Sequence, residues 1–302
     1  MGHLNERKED STMRFRRVIA TAAAASLAAT GLVACGEKEG KSQTIKVGTT
    51  DSGKKAWSAF EDVAKDNGFN VKIVPFEDYS TPNVALAQGQ NDVNNFQTLR
   101  FLAEYNVGND EQLAPIGSTE IVPLALFWKD HDSLDGIEGQ TVAIPNDPSN
   151  QGRALNVLAA AGLVTLKGEK NLTPTPVDID KGKSKVEIAP TDAAQTTSAW
   201  GEGMPAIVNN SFLDRAGIDP KTAIFADDPA SDEAAPYINT FVVREEDKDN
   251  QLYKDLAQLW HDPKVQKAVE EDSQGTSVPV KRSPEEMEDI MHEVEDELRA
   301  AK

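Results

Sequence analysis

One cysteine and four histidines are all that 302 residues offer to thiol or imidazole chemistry. A single thiol excludes an intrachain disulfide framework. His3, His131, His261 and His292 are too scattered for a multi-histidine metal site, so no resident metal or cofactor is expected. Basic residues are also scarce, with 31 Lys and Arg against 50 Asp and Glu and a net charge of −19. Phosphate backbones are bound by basic faces, and this balance excludes an electrostatic nucleic-acid binder. There is no G-x-S-x-G elbow and no histidine-centred constellation, which argues against covalent catalysis. What remains is a soluble globular composition, 39% hydrophobic and 27% charged, in a chain long enough for about two domains.

The amino-terminal segment reads as an address. Arg14, Arg16 and Arg17 precede a run of small apolar residues from Val18 to Ala34, the layout of a secretory signal. The run is alanine-rich and shorter than the roughly 20 strongly apolar residues a spanning helix needs. It ends Leu32-Val33-Ala34-Cys35-Gly36, which resembles a lipobox. That pattern implies cleavage before Cys35 and a diacylglycerol on its sulfur, with residues 1–34 removed and 35–43 left as a polar tether. Two acyl chains exceed the single-chain threshold for marginal membrane binding. The expected location is the cell membrane, lipid-anchored and facing outside the cytoplasm, with an acidic body that anionic lipid would repel.

Along the mature chain, Thr44 to Gly48 alternates as a first strand. Asp51-Ser52-Gly53 then opens a helix with Trp57, Phe60, Val63 and Ala64 on one face, closed at Asn67-Gly68. Further strands are expected at Val71–Val74, near Ile121–Phe127, and at Thr141–Ile144, Ala206–Val208 and Ile238–Val243. Helices are expected from Ser149 to Ala161 and through Leu252–Trp260 and Pro263–Asp272. Strands alternating with helices argue for α/β units with mostly parallel sheets. In the tail, Ser283-Pro284-Glu285-Glu286 offers an N-cap, a proline at the first helical position and a glutamate three residues after the cap. Met287, Ile290, Met291, Val294 and Leu298 follow as one apolar stripe, which predicts a helix packed on the body.

Three segments carry a more specific signal: Asp78 to Leu86 with Gly89, Asp92, Asn94, Phe96 and Gln97; Ala143 to Leu155, reading A-I-P-N-D-P-S-N-Q-G-R-A-L; and Ala206 to Asn210 with Pro236 to Asn239 and Val242 to Glu245. In order and spacing they resemble the methionine-binding lipoproteins of ABC importers, the NlpA/MetQ-like family, from about Thr44 to Val280. The resemblance implies an α/β periplasmic-binding-protein fold, two α/β lobes joined by a hinge with the ligand site between them. It implies residues 44–122 as the first part of lobe 1, 123–223 as lobe 2, and 224–302 as a return to lobe 1 with carboxy-terminal helices. It also implies hinge closure on a ligand and two protein partners, an ABC permease and its ATPase.

A free amino acid brings a carboxylate, an ammonium and a side chain, and a buried site must satisfy all three. Arg153 lies one turn inside the helix expected from Ser149, where free N–H groups and a guanidinium would meet a carboxylate. In the family this arginine binds the ligand carboxylate, and asparagines at the positions of Asn209 and Asn239 take the ammonium. Tyr79 and Phe96 suit an aromatic wall, against which a thioether gains roughly 0.3–1.5 kcal/mol. Thr98 stands where most relatives carry histidine, and Phe127-Trp128-Lys129 where relatives tend to have Tyr-Ser-Lys. The expected function is capture of an amino acid, methionine first, and delivery to a permease. Another apolar amino acid or a short methionine-containing peptide is the alternative within that class. An extracellular enzyme or an adhesin on the same scaffold is the alternative outside it.

Overall fold

A computed structural model describes residues 43–168 and 173–300. Cys35, the export signal and all but the last residue of the tether lie outside the described residues. The chain runs β1 (Thr44–Thr49), α1 (Lys55–Asp66), β2 (Asn70–Pro75), α2 (Pro82–Ala87), β3 (Val93–Thr98), α3 (Leu99–Asn109) and β4 (Leu113–Ile121). It continues through β5 (Ala125–Phe127), β6 (Thr141–Pro145), α4 (Pro148–Ala160), β7 (Glu187–Thr191), α5 (Thr196–Gly201), β8 (Ala206–Val208), α6 (Asn210–Ala216) and β9 (Phe225–Ala226). β10 (Ile238–Arg244), α7 (Gln251–Gln258), α8 (Pro263–Ser273), β11 (Val278–Pro279) and α9 (Pro284–Ala300) complete it.

The strands form two sheets, one per lobe. The first has the order β11-β4-β10-β3-β1-β2 and the second β7-β6-β8-β5-β9. The parallel pairs are β1 with β2 and β3, and β6 with β7 and β8. β10 runs antiparallel to both β3 and β4, and β5 antiparallel to both β8 and β9. The sheets are therefore mixed rather than mostly parallel. The strands next to each passage between lobes enter their sheets from the opposite direction to their neighbours.

Two boundaries differ from the sequence reading. The apolar stretch Ile121–Phe127 is two strands on two sheets, with β4 ending at Ile121 and β5 starting at Ala125. Pro123 lies between them and has no N–H to donate to either sheet. The second passage begins after β9, because Ala226 still pairs with Ala125, so the chain leaves the second lobe at Asp227 and not at 224.

Local chemistry explains the better-defined elements. α1 buries Trp57, Phe60, Val63 and Ala64 and stops at Gly68, whose φ of +81° favours a residue without Cβ. Trp57 and Phe60 meet Phe241 and Trp260 at ring distances of 5.0–6.4 Å, forming the aromatic centre of the first lobe. At α9 the capping box is complete: the Glu286 amide donates to Ser283 Oγ (3.2 Å) and the Ser283 amide to Glu286 Oε2 (2.9 Å). The stripe buries Met287, Met291 and Val294 against the body. α3 has no counterpart in the sequence reading, since its weak amphipathicity gives little periodic signal.

Asn106 joins α3 to β4 and α9. Its Nδ2 donates to Leu113 O (3.0 Å) and Glu295 Oε1 (3.1 Å), while its Oδ1 accepts from Leu113 N (3.1 Å). All these groups are buried, so Asn106→Ala takes a side-chain partner from the Leu113 N–H and carbonyl and one of two from the Glu295 carboxylate, which keeps Arg299 (2.9 Å). A loss of about 2–4 kcal/mol is expected in urea unfolding. A loss below about 0.5 kcal/mol would mean that water replaces all three bonds.

Candidate ligand-binding cleft

The cleft lies between the two sheets, beside the two passages of the chain. Tyr79, Phe96, Thr98, Arg153, Asn209 and Asn239 all line it. The first lobe supplies the carboxyl end of β3, the loop before α2, and Asn239 on β10. The second supplies the first turns of α4 and the β8–α6 junction, the carboxyl-end position at which α/β sheets commonly bind ligands.

Arg153 holds both passages. Its Nε and Nη2 form a fork on Asp227 (2.6 and 3.1 Å), and Nη2 also donates to Val122 O (2.9 Å). Asp227 Oδ1 in turn accepts from Leu124 N (2.8 Å), and the guanidinium lies 4.1 Å from the centre of the Tyr237 ring. Nη1 alone has no hydrogen-bond partner shown among the described residues.

The asparagines are oriented by their neighbours. Asn209 Nδ2 donates to Asn150 Oδ1 (2.8 Å), and Asn150 Nδ2 donates to Asp147 Oδ1 (2.9 Å). This relay turns Asn209 Oδ1 away from its donors, and that oxygen is buried with no hydrogen bond. Asn239 Nδ2 donates to Glu120 O (3.2 Å), freeing its oxygen in the same way. Two amide oxygens are thus available as acceptors in a cleft whose one free guanidinium nitrogen is Arg153 Nη1.

Comparison with known proteins settles the lineage. A family model described as NlpA lipoprotein matches residues 45–281.

This chain belongs to the NlpA lipoprotein family.

It is 32% identical over 272 residues to the D-methionine-binding lipoprotein MetQ of Escherichia coli K12, covering 88% of this chain and 99% of that protein. Among solved structures it resembles protein PG110 from Staphylococcus aureus at a TM-score of 0.78 and 35% identity, over 83% of this chain and 99% of the other. It also resembles a nutrient-binding protein from Burkholderia cenocepacia bound to methionine, at a TM-score of 0.71 and 32% identity, over 78% and 99%. The two-lobed α/β architecture is that of substrate-binding proteins of methionine transporters.

In this chain the aromatic wall is larger than the sequence reading expected. Phe101, on the first turn of α3, stands 5.9 Å from Tyr79 and 5.6 Å from Phe96, and Tyr79 also meets Phe212 of the opposite lobe at 5.0 Å. Phe101 was missed because α3 was missed. Thr98 is committed to that helix: its Oγ1 accepts from Phe101 N (3.2 Å) as the N-cap. Trp128 faces elsewhere, donating to Gly203 O (3.1 Å) in the second lobe.

The helix start at α4 also differs from expectation. Asp147 caps it, accepting from Asn150 N (2.9 Å), so a carboxylate already occupies the end expected to be open to a ligand. Burial pushes the Asp147 carboxyl up to about 6, against the opposing pull of its Asn150 bonds. Glu120, absent from the sequence reading, lines the cleft with its Oε2 accepting from Trp260 Nε1 (2.8 Å). Burial pushes its carboxyl up to about 7, with Trp260 and Lys54 opposing. Burial likewise raises the Tyr79 phenol.

The fork of Arg153 gives it a structural role at the two passages. Arg153→Ala should lower stability by roughly 2 kcal/mol, below the 3–5 kcal/mol of a fully buried broken pair because Asp227 keeps some solvent. Asp227→Asn should cost less, since the amide still accepts from Leu124 N. Thermal melts of ligand-free protein test both, and an unchanged Arg153→Ala melt would remove the hinge role. Thr98→Ala should cost about 1 kcal/mol through the lost cap, read from the same melts.

Proposed function

We propose that the protein is the substrate-binding lipoprotein of an ABC importer, anchored through Cys35, which captures an amino acid and passes it to a membrane permease and its ATPase. Methionine is the first candidate ligand. The observation that carries this reading is the buried, unpartnered Oδ1 of Asn209 in a cleft that also holds Arg153 Nη1 and three aromatic rings. An acceptor left unbonded in a buried place costs stability unless a ligand donor meets it. An ammonium donates to the two asparagine oxygens, a carboxylate accepts from Nη1, and a thioether lies against Tyr79, Phe96 and Phe101. The names of the E. coli and B. cenocepacia relatives support the same ligand. In this reading the protein performs no covalent chemistry and faces outside the cytoplasm.

A second ligand class, another apolar amino acid or a short methionine-containing peptide, is favoured by Thr98. Its short side chain leaves room in the wall that an imidazole would fill. One methylene of apolar fit is worth only roughly 1–3 kcal/mol, so a looser wall discriminates weakly.

Calorimetric titration with L-methionine, D-methionine, L-leucine and a methionine dipeptide tests the reading, with mass spectrometry of any ligand released from the purified protein. Methionine is expected to bind, with leucine or the dipeptide weaker by about tenfold, the value of roughly 1.4 kcal/mol. A protein that binds none of the four, and releases no amino acid or peptide on denaturation, is not an amino-acid receptor. Cys35→Ala is expected to move the protein from membranes to the soluble fraction; full retention in membranes would remove the lipid anchor.

A further inference from the structure

The ammonium end of the cleft presents amide oxygens, which are neutral, yet a desolvated ammonium is costly to bury without an anion. Each charged side chain around the cleft can be followed to its partner. Arg153 is paired with Asp227. Asp51 Oδ1 stands 3.5 Å from Lys54 Nζ, which also bonds Asn210 Oδ1 of the opposite lobe. Asp272 caps α1, accepting from Lys55 N (3.2 Å) and Ala56 N (2.8 Å). Neither Asp272 nor Glu120 has a cation at ion-pair distance within the described residues, but Asp272 is met by two main-chain N–H groups and Glu120 by none that is shown. Trp260 Nε1 donates to its Oε2 (2.8 Å), and the neighbouring Thr119 hydroxyl, which donates to Asn239 O (3.2 Å), also acts on the carboxyl; both contacts are neutral.

The position of Glu120 is as telling as its lack of a counter-ion. Asn239 Nδ2 is held by the main-chain carbonyl of Glu120 itself, so the residue that orients one ammonium acceptor also carries the free carboxylate beside it. Trp260 fixes that carboxylate from behind, at the centre of the first-lobe aromatic cluster.

We propose that Glu120 is the anionic partner of the ligand's ammonium and makes the cleft select for an unmodified, protonated amine. The inference rests on the proposed capture of an amino acid. The groups facing Glu120 are Asp51 and Lys54 from the turn before α1 and Trp260 behind it, and Asp272 at the end of α8 lines the same cleft. Burial pushes its carboxyl up to about 7, and a neighbouring ammonium favours the ionised form. Affinity therefore falls as pH drops through 7, and binding below that pH releases a proton.

The test is calorimetry with L-methionine between pH 5.5 and 8, in two buffers of different ionisation enthalpy, on wild type and Glu120→Gln, with N-acetylmethionine as the probe lacking a cation. Wild type should bind methionine about tenfold more weakly at pH 6 than at pH 7.5, following one linked proton. Glu120→Gln should weaken binding at pH 7.5 by about tenfold or more, the loss of a charge-assisted contact, and flatten the profile. Any slope surviving in Glu120→Gln belongs to Asp147, the other carboxyl raised into this range. Should Glu120→Gln fail to fold, the proton released by wild type and the discrimination against N-acetylmethionine decide the question. Wild-type binding with no proton release, or N-acetylmethionine bound as tightly as methionine, overturns the role of Glu120 and leaves the proposed function standing. No methionine binding to wild type at any pH overturns the methionine reading, and this inference with it.

Discussion

The molecule depends on the ion pair between Arg153 and Asp227. A two-lobed chain must pass between its lobes, and passing strands leave the hydrogen-bonding ladders of both sheets. Here the first passage is tied by Val122 O to Arg153 and by Leu124 N to Asp227, and the second contains Asp227 and reaches Tyr237, against whose ring the guanidinium lies. One fork satisfies main-chain groups that neither sheet can reach. Because the same guanidinium keeps Nη1 free, the part that fixes the passages also faces the cleft.

The cleft is built by orientation more than by charge. Primary amides present a donor and an acceptor in nearly the same shape, and only their surroundings decide which one faces a ligand. The Asp147–Asn150–Asn209 relay and the Glu120 carbonyl make that choice twice with the same result. The relay begins at a helix cap, so the start of α4 acts on the site through Asn150. Rigid positioning of this kind reduces the ordering that a ligand must impose on binding.

Much of this was legible in the sequence where the signal is local. Trp57, Phe60, Val63 and Ala64 mark a helix face by their spacing, and Ser283 to Glu286 spell a capping box that the structure completes. The N-D-P-S-N-Q-G-R run identified the family, and with it the lobed fold. All six candidate site residues do line one cleft, though they come from five separate stretches of chain. What could not be read is long-range. Asp227 looks like any loop carboxylate until Arg153, 74 positions away, is seen on it. Glu120 follows Ser118 and Thr119 in a buried strand, and only its contact with Trp260, 140 positions away, marks it as part of the cleft. The break at Pro123 was hidden because the apolar pattern runs unbroken from one lobe into the other. Thr98 was read as a substitution in a pocket when its hydroxyl was already engaged by a helix that the pattern did not announce.

The lobes are joined very unequally along their edges. At the passages the contacts are short, enclosed and forked. Across the opposing faces they include the Tyr79–Phe212 ring contact, a long Thr50–Ser211 hydroxyl contact (3.4 Å), the Lys54–Asn210 bond, and an ion pair between Arg215 and Glu77 whose carboxylate is largely open to water. An exposed pair of that kind contributes at most about 1 kcal/mol and weakens in salt. A body riveted along one seam and only tacked along the other parts at the tacks. Salt therefore weakens the rim's charged contacts more than the enclosed fork of the seam.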